Sequence, residues 1–202
     1  MKFAFTYLTN FLKLHLFYQF TYIYILRDTI ICIMEVNMEY FDVVDKNRVQ
    51  LNYKKIRGEN LEENEFNTGV EMRIINNNKI LMTQRSEQKS HPGQWETPGG
   101  CSQAGESIID TIKREMIEEI GVNFNQDEFC LIGTHLYKKQ FVDIFLSEKE
   151  IDINKVVLQK EEVQNIKWIS KEEFNNLIKN DAIVPSVLQR FNIIKDKLKI
   201  DW

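Results

Sequence analysis

The sequence contains few of the residues that build disulfide frameworks or zinc sites. Of its 202 residues, three are cysteine and three are histidine. The cysteines show no CxxC spacing, and the histidines are scattered at His15, His91 and His135. These absences argue against a disulfide scaffold, a zinc knuckle and a histidine zinc cluster, and they fit a reducing cytoplasm.

The sequence also lacks an excess of positive charge and any internal repeat. Its net charge is −4, with 28% charged and 43% hydrophobic residues. An acidic balance argues against broad binding to nucleic acid or to an anionic membrane surface. The length and composition suit a single catalytic domain with one good core. A homodimer is left open.

Residues 1–37 form a hydrophobic extension that does not resemble the rest of the chain. Its least polar run, residues 14–26, is shorter than the about 20 apolar residues that a transmembrane helix needs. It also has no small-residue cleavage site of the kind that ends a signal peptide. We interpret the extension as lying outside the fold, with a start codon assigned too early as one explanation. A membrane anchor and a genuine extra element are the alternatives, and the catalytic domain is predicted to span residues 38–202.

The most informative stretch runs from Gly100 to Val122. It reads as an amphipathic helix that is preceded by a Gly-rich loop and ended by Gly121. One face of this helix is an apolar stripe made of Ile109, Ile112, Met116 and Ile120. The sequence therefore predicts a helix with one buried face.

A second stripe on the same helix is acidic. Glu115, Glu118 and Glu119 are neighbours at i, i+3 and i+4, and their like charges repel one another. Arg114 can reach Glu118 at i+4, but one guanidinium cannot neutralise three carboxylates. A divalent cation could, and hard oxygen ligands on a rigid element are what Mg²⁺ prefers.

These residues stand at the spacing of a known motif. Gly100, Glu106, Arg114-Glu115, Glu118-Glu119 and Gly121-Val122, in that order and spacing, resemble a complete Nudix box. The resemblance implies a Nudix hydrolase with the α/β/α sandwich and mixed β-sheet of that family. It also implies that Mg²⁺, or Mn²⁺ in its place, supports the attack of water on a diphosphate linkage. The sequence pattern without the resemblance indicates only an α/β or α+β fold.

The resemblance also implies a role for each residue of the box. Glu118 and Glu119 would be direct metal ligands, and Glu115 would bind metal or orient the nucleophilic water. The carbonyl of Gly99 would add a further ligand from the loop. Arg114 would hold the glutamates in place. The alternative interpretation is a solvated acidic helix face.

Two regions outside the box contain candidate residues. Glu162, with Glu161 a weaker candidate, precedes the last predicted strand and could supply a further metal-binding or base carboxylate. Surface glutamates before a strand are also common. Arg85 and Lys89, in the loop before the box, could contact substrate phosphate, or they could belong to a solvated loop.

The substrate that we expect is a nucleoside diphosphate joined to another group. The loop before the box also resembles a branch of Nudix proteins that includes isopentenyl-diphosphate isomerases, so an isomerase is one alternative. Such enzymes use a histidine-rich metal site, which this chain lacks. A non-catalytic module that senses nucleotides is the other alternative, although such modules usually lose one of the glutamates.

Alternation and turn signals predict the remaining elements. Strands are predicted at residues 39–45, 70–75, 79–84, 129–137, 140–146 and 164–169. One helix is predicted to begin at Ser170, and a last helix is predicted to run from Pro185 to Leu198. Residues 52–67 are predicted to be loop or short helix. Mixed strands with intervening helices indicate a sheet that is covered on both faces.

Overall fold

The computed structural model describes residues 38–202, and residues 40–202 form one compact unit. The predicted extension at residues 1–37 lies outside the described residues. Within residues 38–202, no α-helix has the length and apolar character needed to cross a bilayer.

Eight strands and three α-helices make up the described part of the chain. The strands are β1 (Tyr40–Val44), β2 (Gln50–Ile56), β3 (Asn67–Asn76), β4 (Lys79–Arg85), β5 (Trp95–Glu96), β6 (Cys130–Tyr137), β7 (Gln140–Ser147) and β8 (Val163–Ile169). The helices are α1 (Ile108–Ile120), α2 (Lys171–Lys179) and α3 (Pro185–Ile194), with short 3₁₀ turns at Gln126–Glu128 and Lys195–Lys197.

The central sheet is mixed. Its strand order is β5-β4-β3-β7-β6, and β8 also pairs with β4. Strands β3 and β7 are parallel, from Asn67 opposite Gln140 to Ile74 opposite Ser147, and the other pairs are antiparallel. Strands β1 and β2 form a separate two-stranded ribbon.

Both faces of the central sheet are covered. Alternate residues of β3, including Met72 and Ile74, pack with Ile112 and Met116 of α1 in one apolar cluster. On the other face, Ile144 of β7 packs in a second cluster with side chains of α2 and α3. The α/β/α sandwich with a mixed sheet is therefore confirmed.

One predicted element is wrong. Residues 50–56 form strand β2, part of which falls in the stretch predicted to be loop or short helix. Most of this strand is exposed, because β2 pairs only with β1 in the separate ribbon. Neither face of β2 is covered, and its sequence alternates only briefly, at Leu51 and Tyr53, which is too short a pattern to predict a half-buried strand.

Helix α1 has well-defined ends that set where its glutamates lie. The Ser107 hydroxyl accepts a hydrogen bond from the Asp110 amide. The Asp110 carboxylate accepts one from the Ser107 amide, which completes a capping box. Gly121 ends the helix with φ 68°, a left-handed conformation that glycine adopts without strain. The predicted end of the helix is thus confirmed.

The loop before α1 is pinned to the sheet. The amide of Val70 donates to the Gly100 carbonyl over 2.8 Å, and the amide of Met72 donates to the Pro98 carbonyl over 2.9 Å. Gly99 lies between these two bonds with φ 153°, and a Cβ atom there would collide with the Val70 carbonyl. The Gly-rich loop can therefore lie close to β3 only because it lacks side chains here.

Candidate active site

Arg114 joins the loop to the acidic face of α1. Its Nε and Nη2 atoms donate to the two carboxylate oxygens of Glu106 over 2.6 and 3.0 Å. Its Nη1 atom donates to Glu115 Oε1 over 2.9 Å and to Glu118 Oε2 over 2.8 Å. Nη2 also donates to the Cys101 carbonyl over 3.0 Å. One planar guanidinium thus fixes three carboxylates and the loop backbone, as its fork of donors allows.

Glu115 lies against the loop and is almost completely buried. A Cβ atom at Gly100 would overlap the carboxylate of Glu115, so only glycine leaves room for it. Burial raises the pKa of Glu115 to about 7, although the Arg114 guanidinium opposes that shift. The site therefore contains a desolvated carboxylate whose negative charge is only partly compensated.

Glu119 is more deeply buried, with a side-chain exposure of 1%. Its Oε2 atom accepts a hydrogen bond from the Gly99 amide over 3.0 Å, and its Oε1 atom accepts one from Lys89 Nζ over 3.3 Å. Burial raises the pKa of Glu119 to about 8; the Lys89 charge opposes the shift, and Glu96, Glu115 and Glu162 add to it.

Lys89 reaches into a cluster of acids that three different segments supply. Its Nζ atom lies 2.8 Å from Glu162 Oε2, 3.3 Å from Glu119 Oε1 and 3.5 Å from Glu96 Oε1. Burial works against the ammonium charge, but the three carboxylates outweigh it and raise the pKa of Lys89. Lys89 is therefore charged and largely enclosed, with 15% of its side chain exposed.

The loop that holds Glu162 is attached directly to the loop that holds Lys89. The Ser86 amide donates to the Glu162 carbonyl over 2.9 Å, and the Ser86 hydroxyl donates to the Glu161 carbonyl. Burial opposes ionisation of Glu162, but Lys89 outweighs it and lowers the pKa of the carboxyl. Glu161 itself points to solvent and contributes only backbone here.

The structure brings together all five candidate carboxylate and arginine side chains of the catalytic set, which are Arg114, Glu115, Glu118, Glu119 and Glu162. Glu118 is the most exposed of them, with 44% of its side chain accessible. Gly99 meets the site through its amide, which binds Glu119. Arg85 instead pairs with Glu96 and donates to the Ser90 carbonyl, so it braces the loop.

Sequence reasoning did not identify Glu96. This residue lies on β5 and is 8% exposed, between Arg85 and Lys89. The only indication in the sequence was that Glu96 lies a few residues before the glycines of the loop. That signal is weak, because nothing local shows which way the side chain of a two-residue strand points.

The donor set fits a divalent cation. Glu115 and Glu119 are buried carboxylates, and burial raises the pKa of both. Hard anionic oxygens suit Mg²⁺ and Mn²⁺, which would stabilise the ionised form of these carboxylates. Among residues 38–202, however, no three acidic, histidine or cysteine side chains already surround one point as metal ligands. Arg114 and Lys89 hold the carboxylate oxygens instead.

Comparison with known proteins agrees with this geometry. The family model of the NUDIX domain matches residues 66–191. "Nudix hydrolase 3" of Arabidopsis thaliana is 28% identical over 186 residues, covering 81% of this chain and 24% of that protein. The chain thus spans about a quarter of that relative. "Uncharacterized Nudix hydrolase lmo0368" of Listeria monocytogenes is 26% identical, covering 77% of this chain and 95% of that protein.

Among solved structures, DR0079 of Deinococcus radiodurans has the same fold. Its TM-score is 0.65 at 17% identity, and the match covers 77% of this chain and 99% of that one. The family match spans more than half of the chain, in the region that contains the loop, α1 and the acid cluster. The chain therefore belongs to the Nudix family.

Proposed function

We propose that this protein is a Mg²⁺-dependent hydrolase that cleaves the diphosphate linkage of a nucleoside diphosphate joined to another group, with Mn²⁺ as an alternative metal. One observation carries the proposal. Carboxylates from β5, α1 and the loop before β8 converge beside a Gly-rich loop, where two of them are buried without full charge compensation.

In this proposal, the residues of α1 and its loop hold the metal. Glu115, Glu118 and Glu119 are the ligands, and the Gly99 carbonyl adds one from the loop. A bound divalent cation supplies neutralisation of phosphate charge and polarisation of the attacking water. Arg114 keeps the glutamates in position through its contacts with Glu115 and Glu118.

Two carboxylates are placed to take a proton from water. Glu115 has a pKa of about 7, near the value at which a general base works best at neutral pH. Glu162 stays ionised beside Lys89 and comes from a different segment. Arg114 already holds Glu115 in place, so we propose Glu162 as the base and Glu115 as the group that orients the water or binds metal. A comparison of Glu162→Gln with Glu115→Gln separates these roles. Loss of the base should remove the acidic limb of the pH profile of kcat.

A substrate panel tests the proposed function. Nucleoside diphosphates joined to sugars, alcohols or a second nucleotide are incubated with Mg²⁺, beside nucleoside triphosphates and isopentenyl diphosphate. We expect release of a nucleoside monophosphate from at least one member of the first group, and its loss in Glu119→Gln. The matched control is Glu172→Gln, an exposed glutamate on α2.

Other outcomes of this panel contradict the proposal. Isomerisation of isopentenyl diphosphate without hydrolysis would make the chain an isomerase. Tight binding of a nucleotide without turnover would make it a sensor. Hydrolysis that persists after chelation of all divalent metal would remove the metal from the mechanism.

A further inference from the structure

Lys89 contacts the carboxylate that we propose as a metal ligand. The Oε2 atom of Glu119 accepts a hydrogen bond from the Gly99 amide over 3.0 Å, and its Oε1 atom faces Lys89. That oxygen accepts from Lys89 Nζ over 3.3 Å. An ammonium and a divalent ion on one oxygen would repel each other strongly inside a partly buried site. They therefore compete for Glu119.

The ammonium also has a clear role in the absence of metal. Glu96, Glu119 and Glu162 would otherwise place three negative charges close together in a partly buried cluster. Lys89 contacts all three, within 3.5 Å of an oxygen of each. One cation in contact with three carboxylates offsets their repulsion, so Lys89 stabilises the metal-free fold.

Lys89 can leave this position without unfolding its loop. The base of the loop is held by bonds from the Arg85 amide to the Gln94 carbonyl and from the Ser86 amide to the Glu162 carbonyl, each over 2.9 Å. Among residues 38–202, the ammonium of Lys89 is held by its hydrogen bonds to Glu119 and Glu162 and by its ion pair with Glu96. A flexible four-carbon stem can then swing the charge outward while the backbone stays fixed.

We propose that Lys89 is an internal counter-cation that a divalent metal displaces from Glu119, and that the displaced ammonium then becomes available to a phosphate of the substrate. This inference rests on the proposed metal-dependent function. Without metal, Lys89 neutralises the carboxylates and disfavours binding of another cation. When metal binds, the Lys89 ammonium turns toward the substrate.

The reactivity of the lysine amine tests the displacement in the unmodified protein. The full chain is acetylated with a small amine-reactive ester, with and without saturating Mg²⁺, and the modification rate of each lysine is followed by mass spectrometry. We expect Lys89 to react slowly without metal and about tenfold faster with Mg²⁺, because its ammonium is freed. Lys160, which is exposed near Glu162, is the internal control and should not change. An unchanged or slower rate at Lys89 overturns the proposal.

Metal affinity gives the second test, and it distinguishes failure of the Lys89 displacement from failure of the proposed hydrolase function. Binding of Mg²⁺ is measured by calorimetry for wild type, Lys89→Met and Lys160→Met at one common pH. We expect about tenfold tighter binding in Lys89→Met only, together with a lower melting temperature of that variant without metal. Equal or weaker binding in Lys89→Met overturns the inference but leaves the hydrolase proposal standing. No binding in wild type overturns both.

Discussion

The amide of Gly99 donates a hydrogen bond to Glu119 Oε2 over 3.0 Å, between residues that are 20 positions apart in the chain. This bond ties the Gly-rich loop to the last turn of α1. It also orients the carboxylate, so that Oε1 faces the acid cluster and Lys89. The loop and the helix are therefore held together as one structural unit.

Glu119→Gln should separate metal binding from folding. The amide keeps the shape and an acceptor for the Gly99 amide, but it cannot ionise to give the anionic ligand that a metal would bind. We expect melting temperature without metal to stay level or rise, the Mg²⁺-induced shift to shrink, and activity to fall by orders of magnitude, since each 1.36 kcal/mol is about tenfold in rate. Melting curves and kinetics beside Glu172→Gln check this. An unchanged Mg²⁺ shift would remove Glu119 from the metal site.

Gly100→Ala should harm activity more than stability. The new Cβ would overlap the carboxylate of Glu115, which can shift because it is the end of a flexible side chain. We expect a stability loss of about 1–3 kcal/mol and a drop in kcat of about a hundredfold, as misplaced catalytic groups produce. The control is Gly133→Ala on β6, where the nearest atom to the new Cβ is 3.4 Å away. Equal kinetics in both variants would contradict the packing argument.

The stability of the metal-free protein should fall as pH rises. Glu115 and Glu119 have folded-state pKa values of about 7 and about 8, above the ordinary 4.5, so the folded state holds protons that the unfolded state releases. Their contribution is present below about pH 4.5 and is lost as pH rises through about 7 to 8. Melting temperatures in chelator across this range should decline less in Glu119→Gln. Parallel curves for both proteins would show that Glu119 does not titrate there.

Arg85→Ala should act mainly on stability. Arg85 pairs with the buried Glu96 and donates to the Ser90 carbonyl, so its loss leaves a buried carboxylate without its main partner. We expect a loss of about 1–3 kcal/mol, seen as a lower denaturation midpoint, with a smaller effect on KM than Lys89→Ala. A large rise in KM with unchanged stability would instead place Arg85 against substrate phosphate.

A shortened chain that begins at Met38 should fold and keep full activity. The hypothesis rests on the change of composition after residue 37 and on the compact unit formed by residues 40–202. Thermal denaturation and kinetics of the short and full-length chains provide the comparison. Unfolding of the short chain, or membrane association of the full-length protein, would show that the extension belongs to the working protein.

Local chemistry was enough to predict the central helix and its acidic face. Helical spacing places Glu115, Glu118 and Glu119 on one stripe whatever the rest of the chain does, and Gly121 ends the helix for a conformational reason. The contact from Arg114 to Glu118 follows from the same i, i+4 geometry and is present at 2.8 Å. The turn between β3 and β4 likewise depends on local chemistry, because Asn77 and Asn78 both have positive φ, which asparagine tolerates.

The acid cluster could be recognised only after folding. Glu96, Lys89 and Glu162 meet because β4 pairs with both β5 and β8, which brings together segments that lie up to 73 residues apart. No periodicity encodes such a contact. Burial, which raises the pKa of Glu119 above neutrality, is likewise a property of the packed sandwich and not of the glutamate. Sequence spacing placed the carboxylates on the helix, whereas strand pairing decided which cation and which acids face them.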